Sequence, residues 1–75
     1  MKELVEFIVR SLVDEPDEVQ VSEIKGSGTI ILELSVAQPD MGRVIGKGGR
    51  VVNAIRTVLK VLAAKNGDEV KLEIV

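Results

Sequence analysis

Apolar residues in the first 13 positions recur at the spacing of an α-helix. They would lie on one helical face with the charged side chains opposite, so the pattern predicts an amphipathic helix packed on a core. This apolar face would comprise Leu4, Val5, Ile8 and Leu12. Phe7 is the only aromatic residue, and we expect it to fill part of the core. The acidic run Asp14–Glu18, which contains Pro16, ends the helix in an exposed turn.

Two stretches of alternating apolar and polar residues follow, and they predict a β-hairpin. Val19–Lys25 alternates at first, although Ile24 falls out of phase. Gly26–Gly28 is typical of a hairpin turn. Thr29–Val36 then alternates throughout, as expected for a strand in a sheet that is buried on one face only. Its inward side chains would be Ile30, Leu32, Leu34 and Val36.

The second half of the chain predicts two helices and a last strand. Pro39 breaks the preceding strand, and Asp40 is placed to cap a short helix over Met41–Ile45. A longer helix is predicted over Arg50–Ala64, and Glu69–Val75 alternates as a strand. The inward side chains of the strand would be Val70, Leu72 and Ile74. Those of the longer helix would be Val51, Val52, Ile55, Val58, Leu59 and Leu62.

The order of these elements, α-β-β-α-α-β, restricts the topology. A connection of strand, two helices and strand is right-handed and joins parallel neighbours, so Thr29–Val36 should pair in parallel with Glu69–Val75. The hairpin adds Val19–Lys25 antiparallel on the other side. We therefore expect one α+β domain over residues 1–75, with a three-stranded mixed sheet, Thr29–Val36 in its centre and three helices on one face.

Composition argues against several classes of function. The chain has no cysteine and no histidine, so it lacks thiolate metal sites and the commonest general base, and we expect no cofactor or metal. No apolar run approaches the roughly 20 residues needed to cross a bilayer, and the charged first helix is unlike a signal peptide. We therefore expect neither an enzyme nor a membrane protein, and the lack of cysteine is compatible with the cytoplasm.

Charge is segregated along the chain. The formal net charge is −2 at pH 7, which alone argues against a nucleic-acid ligand. Residues 41–65, however, carry six basic and no acidic side chains, whereas the remaining 50 residues carry a charge of −8. A positive stripe on an acidic body attracts polyanions locally, because charges at physiological salt act over about 8 Å. Whether Arg56, Lys60 and Lys65 belong to this stripe or only form the solvated face of a helix stays open at this point.

The most informative stretch is the glycine turn that separates the two helices of the second half. Gly46 can adopt the left-handed conformation that ends the first of them, and Gly48 and Gly49 let another backbone come close. The positive end of the next helix, flanked by Lys47 and Arg50, makes an anion site suited to a phosphate. The spacing excludes a Walker loop and a dinucleotide fingerprint, since the hydroxyl residue and the third glycine that these motifs need are missing.

The motif that does fit is V-I-G-x-x-G-x-x-[IV]-x-x-I, which runs from Val44 to Ile55. It resembles the K-homology (KH) domain, whose G-x-x-G loop clamps a few nucleotides of single-stranded RNA or DNA. The predicted order of elements resembles the type II KH arrangement, and this resemblance covers essentially the whole chain. In size and motif the chain resembles in particular the small bacterial KhpA family, which has a single KH domain.

The resemblance implies a non-catalytic, cytoplasmic protein that clamps single-stranded RNA, with DNA as an alternative ligand. Such a protein would act as a post-transcriptional regulator or RNA chaperone. It also implies a homodimer and pairing with a larger KH-domain protein. The residues that would contact RNA are Arg43, Val44, Ile45, Gly46, Lys47, Gly48, Gly49, Arg50, Asn53 and Ala54. Aliphatic groove walls would hold the bases, because the chain has no Tyr or Trp for stacking. The loop Lys65–Asp68 is short, so one wall of this groove would be shallow.

Two alternatives stay open. Val44, Ile45 and Ala54 could belong to the core alone, and the domain could serve mainly as a protein-interaction or ribosome-associated module. A homodimer has a candidate surface on the longer helix, where Ala54, Val61 and Ala64 form an apolar flank beyond the core-facing stripe. The first helix could instead cover this flank.

Overall fold

The three strands and three helices follow one another in the predicted order. The computed structural model describes all 75 residues, and each element begins and ends within one residue of its predicted bounds. The elements are α1 (Lys2–Leu12), β1 (Gln20–Gly26), β2 (Thr29–Ser35), α2 (Met41–Ile45), α3 (Arg50–Lys65) and β3 (Glu69–Ile74). The predicted α+β class is confirmed.

The sheet has the strand order β1-β2-β3, so β2 is central as predicted. β1 and β2 are antiparallel and are joined by a two-residue turn, across which Gly26 pairs with Thr29. β2 and β3 are parallel, with Thr29 opposite Glu69 and Leu34 opposite Ile74. The connection between them carries α2 and α3, and the outer edge of β3 is left without a neighbouring strand.

The helices pack on one face of the sheet, and the core lies between the two layers. In β2, Ile30, Leu32 and Leu34 are buried, whereas the residues between them are half-buried on the other face. Val44 of α2 is fully buried against this layer. The core comprises Val5, Val9, Val19, Val21, Ile30, Leu32, Leu34, Val44, Val52, Ile55, Leu59 and Leu72. The glycine turn that follows α2 is therefore attached to the core through α2.

The buried face of α1 is centred differently from the prediction. Val5 and Val9 are fully buried, whereas the predicted Leu4, Ile8 and Leu12 are only half-buried. The expectation that Phe7 fills the core is wrong, since it is 71% exposed. Because Val5 and Val9 are four residues apart, they share one face of the helix, and Phe7 midway between them points the opposite way.

The buried face of α3 also differs in detail. Val52, Ile55, Leu59 and Ala63 are buried, and Leu62 is half-buried. The expectation that Val58 faces inward is wrong, since it is 47% exposed. The buried residues are spaced by three and four positions, which keeps them on one stripe of the helix.

The role predicted for Asp40 is also wrong in detail. Asp40 stands at the start of α2, but its side chain makes no capping hydrogen bond there. Its carboxylate, which is buried, instead accepts hydrogen bonds from the backbone N–H groups of Asp14 and Glu15, each at 3.1 Å. Asp40 therefore ties the acidic turn after α1 to the beginning of α2.

Candidate nucleic-acid interface

The glycine turn (Gly46–Gly49) begins at a position that only glycine can occupy without strain. Gly46 has φ 77° and ψ 168°, so the predicted positive φ is present, but with an extended ψ. A Cβ built on Gly46 would lie 2.6 Å from Val51 Cγ2 and 2.8 Å from the Val51 backbone nitrogen. Glycine at this position lets the chain turn back tightly onto the first residues of α3.

The other two glycines of the turn also have positive φ angles. Gly48 (φ 65°) is exposed, and a Cβ added there would meet nothing within 4 Å. Gly49 (φ 82°) is half-buried, and its Cβ would lie 3.3 Å from Asn53 Nδ2. Gly48 is thus the open point of the turn, where another molecule can approach the backbone closely.

The electrostatics of the turn favour an anion. α3 has no side chain that caps its N-terminus, so its first N–H groups lack the usual side-chain partner. The positive end of the helix dipole lies at the same place. Lys47 and Arg50 are both exposed beside it, and no acidic side chain occurs between Met41 and Lys65. These features together suit a phosphate group.

Arg43 lies on α2 and faces the acidic turn that follows α1. Its Nη2 is 3.5 Å from Asp14 Oδ2, and the two side chains are 56% and 75% exposed. An ion pair this exposed is worth at most about 1 kcal/mol, so it does not hold Arg43 away from a competing anion.

The remaining predicted contact residues have different degrees of exposure. Val44 is fully buried, so it supports the site from the core and offers no surface to a ligand. Ile45 is half-buried, whereas Asn53 and Ala54 on α3 are exposed. Asn53 lies next to Gly49 and extends the site along α3.

Arg56 is a site residue that the sequence left undecided. It is half-buried, and its Nε and Nη2 both donate to the backbone carbonyl of Leu72 in β3, at 3.2 and 2.9 Å. Its Nη1 donates to Asn53 Oδ1 at 3.3 Å. Arg56 therefore links α3 to the open edge of β3, and Asn53 links it back to the glycine turn.

A cleft of about 300 Å³ lies between α3 and β3. We refer to it as the α3–β3 cleft. Its apolar floor is formed by Leu59, Val70 and Leu72, and its charged rim by Arg56, Lys60, Lys71 and Glu73. A floor of this kind suits a flat apolar group, and the rim suits polar groups at its edge.

The loop at the far end of the cleft is short, as predicted. Asn66 and Gly67 form the turn between α3 and β3. A second depression of about 440 Å³ lies there, and its charged lining residues are Asp68, Glu69, Lys60 and Lys71. Basic and acidic side chains therefore occur together at this end, whereas the segment from Gly46 to Arg50 carries basic side chains only.

Two further features of the chain bear on its chemistry. No group of three or more His, Cys, Asp or Glu side chains is arranged to hold a metal ion. None of the helices combines the length and the apolar character that a membrane-spanning helix requires.

Comparison with known families and proteins gives consistent matches over the whole chain. The sequence model of the KhpA/KhpB KH-domain family matches residues 2–74. An RNA-binding protein KhpA from Clostridium acetobutylicum is 60% identical over 75 residues, which is 100% of both chains. The RNA-binding protein KhpA from Chlamydia pneumoniae is 53% identical over 74 residues, or 99% of this chain and 95% of that one.

Among solved structures, the chain resembles part of Era, in a crystal structure of Era with MgGDPNP and nucleotides 1506–1542 of 16S ribosomal RNA. The TM-score is 0.59 at 23% sequence identity, and the match covers 97% of this chain and 28% of that one. At this identity the likeness bears on the fold alone.

Proposed function

The chain belongs to the KhpA/KhpB family of KH domains, and from this premise we propose that it is a non-catalytic, cytoplasmic protein that binds single-stranded RNA through Gly46–Gly49. The relatives from Clostridium and Chlamydia are named as RNA-binding proteins, which favours RNA over DNA as the ligand. The observation that carries the proposal is the open, positively charged turn, in which Gly48 has free space around it and Lys47 and Arg50 are exposed. A post-transcriptional regulator or RNA chaperone would use such a site.

The phosphates of the strand would lie against the glycine turn. The positive end of the helix dipole favours negative charge there, and no side chain caps the start of α3. The missing Cβ of Gly48 lets a sugar–phosphate backbone come close, and Lys47 and Arg50 add positive charge. Contacts of this kind position a strand but do not read its sequence.

The bases of the strand would enter the α3–β3 cleft. Val70, which is half-buried, is the part of the apolar floor that is open to the face of a base, and Leu59 and Leu72 support it from the core. Only an unpaired strand can turn its bases inward while its backbone lies against the glycine turn. Single-stranded RNA is therefore the expected ligand, in preference to a duplex.

The other predicted residues would support this arrangement. Arg43 would exchange its exposed partner Asp14 for a phosphate, at small cost. Asn53 and Ala54 would border the strand as it leaves the turn, because both are exposed on the first turns of α3. Val44 and Ile45 would hold α2, and with it the glycine turn, against the core.

A homodimer through α3 is the second part of the proposal. Val58 and Val61 are 47% and 57% exposed, and Ala54 and Ala64 are exposed on the same side of the helix, so α1 does not cover them. We call these four residues the outer stripe. At 3.6 residues per turn Val58 and Val61 form the middle of the outer stripe, opposite the buried stripe and away from Arg56. Ala54 and Ala64 lie at its ends, one turn from Arg50 and Lys60 respectively. The middle of the outer stripe and the cleft can therefore be occupied at once.

A second copy of the chain suits the outer stripe, because a two-fold interface pairs a surface with itself and this stripe is short, apolar and free of charge. Two linked clefts on one RNA would gain roughly 10²–10⁴ in avidity. The same stripe would be available to a larger KH-domain protein. It is also the observation that favours the alternative function, a protein-interaction or ribosome-associated module.

The test of the RNA site is a double substitution in the glycine turn. Lys47→Asp with Gly48→Asp places negative charge where the phosphates would lie, at two exposed positions where the fold should tolerate it. Like charges brought together cost several kcal/mol, so we expect affinity for a short single-stranded RNA to fall about a hundredfold or more. Fluorescence anisotropy with a labelled RNA measures this, and circular dichroism checks the fold.

The β-hairpin offers a matched control. Lys25 is exposed, and Gly28 has φ 74° with nothing within 4 Å of an added Cβ, as at Gly48. Lys25→Asp with Gly28→Asp therefore makes the same chemical change far along the chain from the glycine turn. If both folded double variants bound RNA equally well, the turn would not be the binding site.

A further inference from the structure

The guanidinium group of Arg56 is held in one orientation on the wall of the α3–β3 cleft. Two of its nitrogens donate to the carbonyl oxygen of Leu72, and the third donates to Asn53 Oδ1. The side chain is half-buried, and it is the only arginine with hydrogen bonds to another element of the fold. A cationic group fixed in this way is pre-organised for its ligand, because it loses little conformational freedom on binding.

This hydrogen bonding leaves two donors of Arg56 free. A guanidinium group carries five N–H bonds in a planar fork, one on Nε and two on each terminal nitrogen. Nε–H and one N–H of Nη2 are directed to Leu72, and one N–H of Nη1 is directed to Asn53. One N–H on each terminal nitrogen therefore has no protein partner, and these two nitrogens are neighbours in the planar fork.

The surroundings of Arg56 favour a base over a phosphate at these donors. The cleft floor is apolar, through Leu59, Val70 and Leu72, and such a surface would leave a phosphate poorly solvated. The phosphate-binding features lie instead at the glycine turn. Arg56 is six residues beyond Arg50, or about 9 Å along the axis of α3, so one strand can reach both places.

The backbone of β3 adds to the donor character of this wall. Glu69 N–H bonds to Gly28 O and Val75 N–H to Leu34 O, so the odd-numbered residues face β2. The N–H and C=O groups of the even-numbered residues, including Leu72, therefore face the open edge. Arg56 donates two hydrogen bonds to the Leu72 carbonyl oxygen, so this acceptor is not available to a ligand in the cleft. The free N–H groups of Arg56 are available there instead.

We propose that Arg56 is a specificity-determining residue that reads one base of the bound RNA through its two free N–H groups. Two adjacent donors match a base edge with two adjacent acceptors, which guanine presents as O6 and N7 and cytosine as N3 and O2. Adenine and uracil present a donor beside each such acceptor. One position of the bound strand is therefore restricted to guanine or cytosine. This inference rests on the proposed RNA-binding function.

The test is a selection of short random RNAs by the wild-type protein and by two variants, Arg56→Lys and Arg56→Gln. In the wild type we expect one position of the recovered RNAs to be enriched in guanine or cytosine, by roughly 5- to 150-fold in affinity over adenine and uracil. Lysine keeps the charge but not the planar fork, so both variants should lose this preference while other positions keep theirs. Lys60→Gln, at the rim of the same cleft, is the matched control and should keep the preference.

A second measurement leaves the protein unchanged and so does not depend on how the variants fold. Replacing the selected base by 7-deazaguanosine or 3-deazacytidine removes one of its two acceptors, and we expect wild-type affinity to fall to that of an adenine at this position. An unaltered affinity would overturn the assignment, as would a preference that survives in folded Arg56→Gln. If the wild type recovered no RNA at all, the proposed function itself would fail, which is a distinguishable result.

Discussion

Gly46 shows what a single residue contributes to the glycine turn. The sequence predicted a positive φ at this position, because the turn must end α2 and start α3 within a few residues. It did not predict the contact with Val51, which brings the backbone of α3 within 2.8 Å of the place where a Cβ would be. Gly48 has a positive φ as well but stands in open space. The two glycines therefore have different roles, one in packing and one in access.

This difference gives a prediction for asparagine, which tolerates the left-handed region better than most residues. Gly48→Asn should cost about 1 kcal/mol or less in the free energy of unfolding, because its φ and ψ (65° and 20°) are left-handed helical. Gly46→Asn should cost about 1–3 kcal/mol from backbone strain alone, and more through the clash with Val51. Urea unfolding of the two variants measures this. Equal losses at both positions would contradict it.

Single residues also mark the limit of sequence reasoning here. The glycines, Lys47 and Arg50 could be assigned to the turn because they are neighbours in the chain. Arg56 could not be assigned, since its partner Leu72 is 16 residues away and only the packing of α3 on β3 brings the two together. The prediction for Phe7 failed for a local reason. Its size suggested burial, but its position in the helical repeat directs its side chain to solvent.

For the helices and strands, the sequence predicted where each element begins and ends, but it predicted only in part which face of each element is buried. Alternation in β2 correctly gave Ile30, Leu32 and Leu34 as buried, because a strand has only two faces. Val36, which was also expected inward, is half-buried just beyond the end of the strand. Helices α1 and α3 have apolar residues around more than half of their circumference, so the sequence did not say which of them would face the sheet. Val9 and Ala63 were missed, and Val58 was placed inward, for this reason.

The contact of Asp40 with the turn after α1 gives a prediction at this scale. Asp40→Ala would leave the N–H groups of Asp14 and Glu15 without their acceptor in a part-buried position. We expect the free energy of unfolding to fall by about 1.5–3 kcal/mol, the usual range for hydrogen bonds to a charged group. Asp17→Ala, in the same acidic turn but exposed, should change it by less than about 0.5 kcal/mol. Thermal or urea unfolding compares the two, and a neutral Asp40→Ala would show that the tie is not needed.

For the whole molecule, the division of charge follows the fold. The basic segment of residues 41–65 forms α2, the glycine turn and α3, and the acidic residues lie mainly on α1, the following turn and the sheet. A negative net charge is therefore compatible with an anionic ligand, because the positive side chains are concentrated on two successive helices and the turn between them. The charge of residues 41–65 therefore indicated a candidate anion-binding region, which the net charge of −2 did not.

The proposed dimer is tested at the same scale. We expect the wild type to sediment as a dimer at micromolar concentration and Val61→Asp to sediment as a monomer, because a charge would be buried in an apolar interface. The variant should also lose the roughly 10²–10⁴ avidity gain on RNAs long enough to reach two clefts, and keep its affinity for a short RNA that fills one.

Phe7→Asp is the control for that experiment. Phe7 is 71% exposed, so this substitution removes a similar apolar surface from a different helix. The Phe7→Asp variant should therefore remain a dimer. If the wild type were a monomer at all concentrations, or if Val61→Asp still formed a dimer, the outer stripe would not be the interface.

The parallel pairing of β2 with β3 has a consequence for how the molecule assembles. The hairpin joins Gly26 to Thr29, three positions apart, whereas the parallel pair joins Thr29 to Glu69, forty positions apart. Closing the longer connection costs more chain entropy and must wait for contacts between distant residues, so the hairpin can form early and the parallel pair late. The glycine turn and Arg56 both lie inside the longer connection. We therefore expect the proposed RNA-binding surface to reach its working geometry late in folding, when β3 docks.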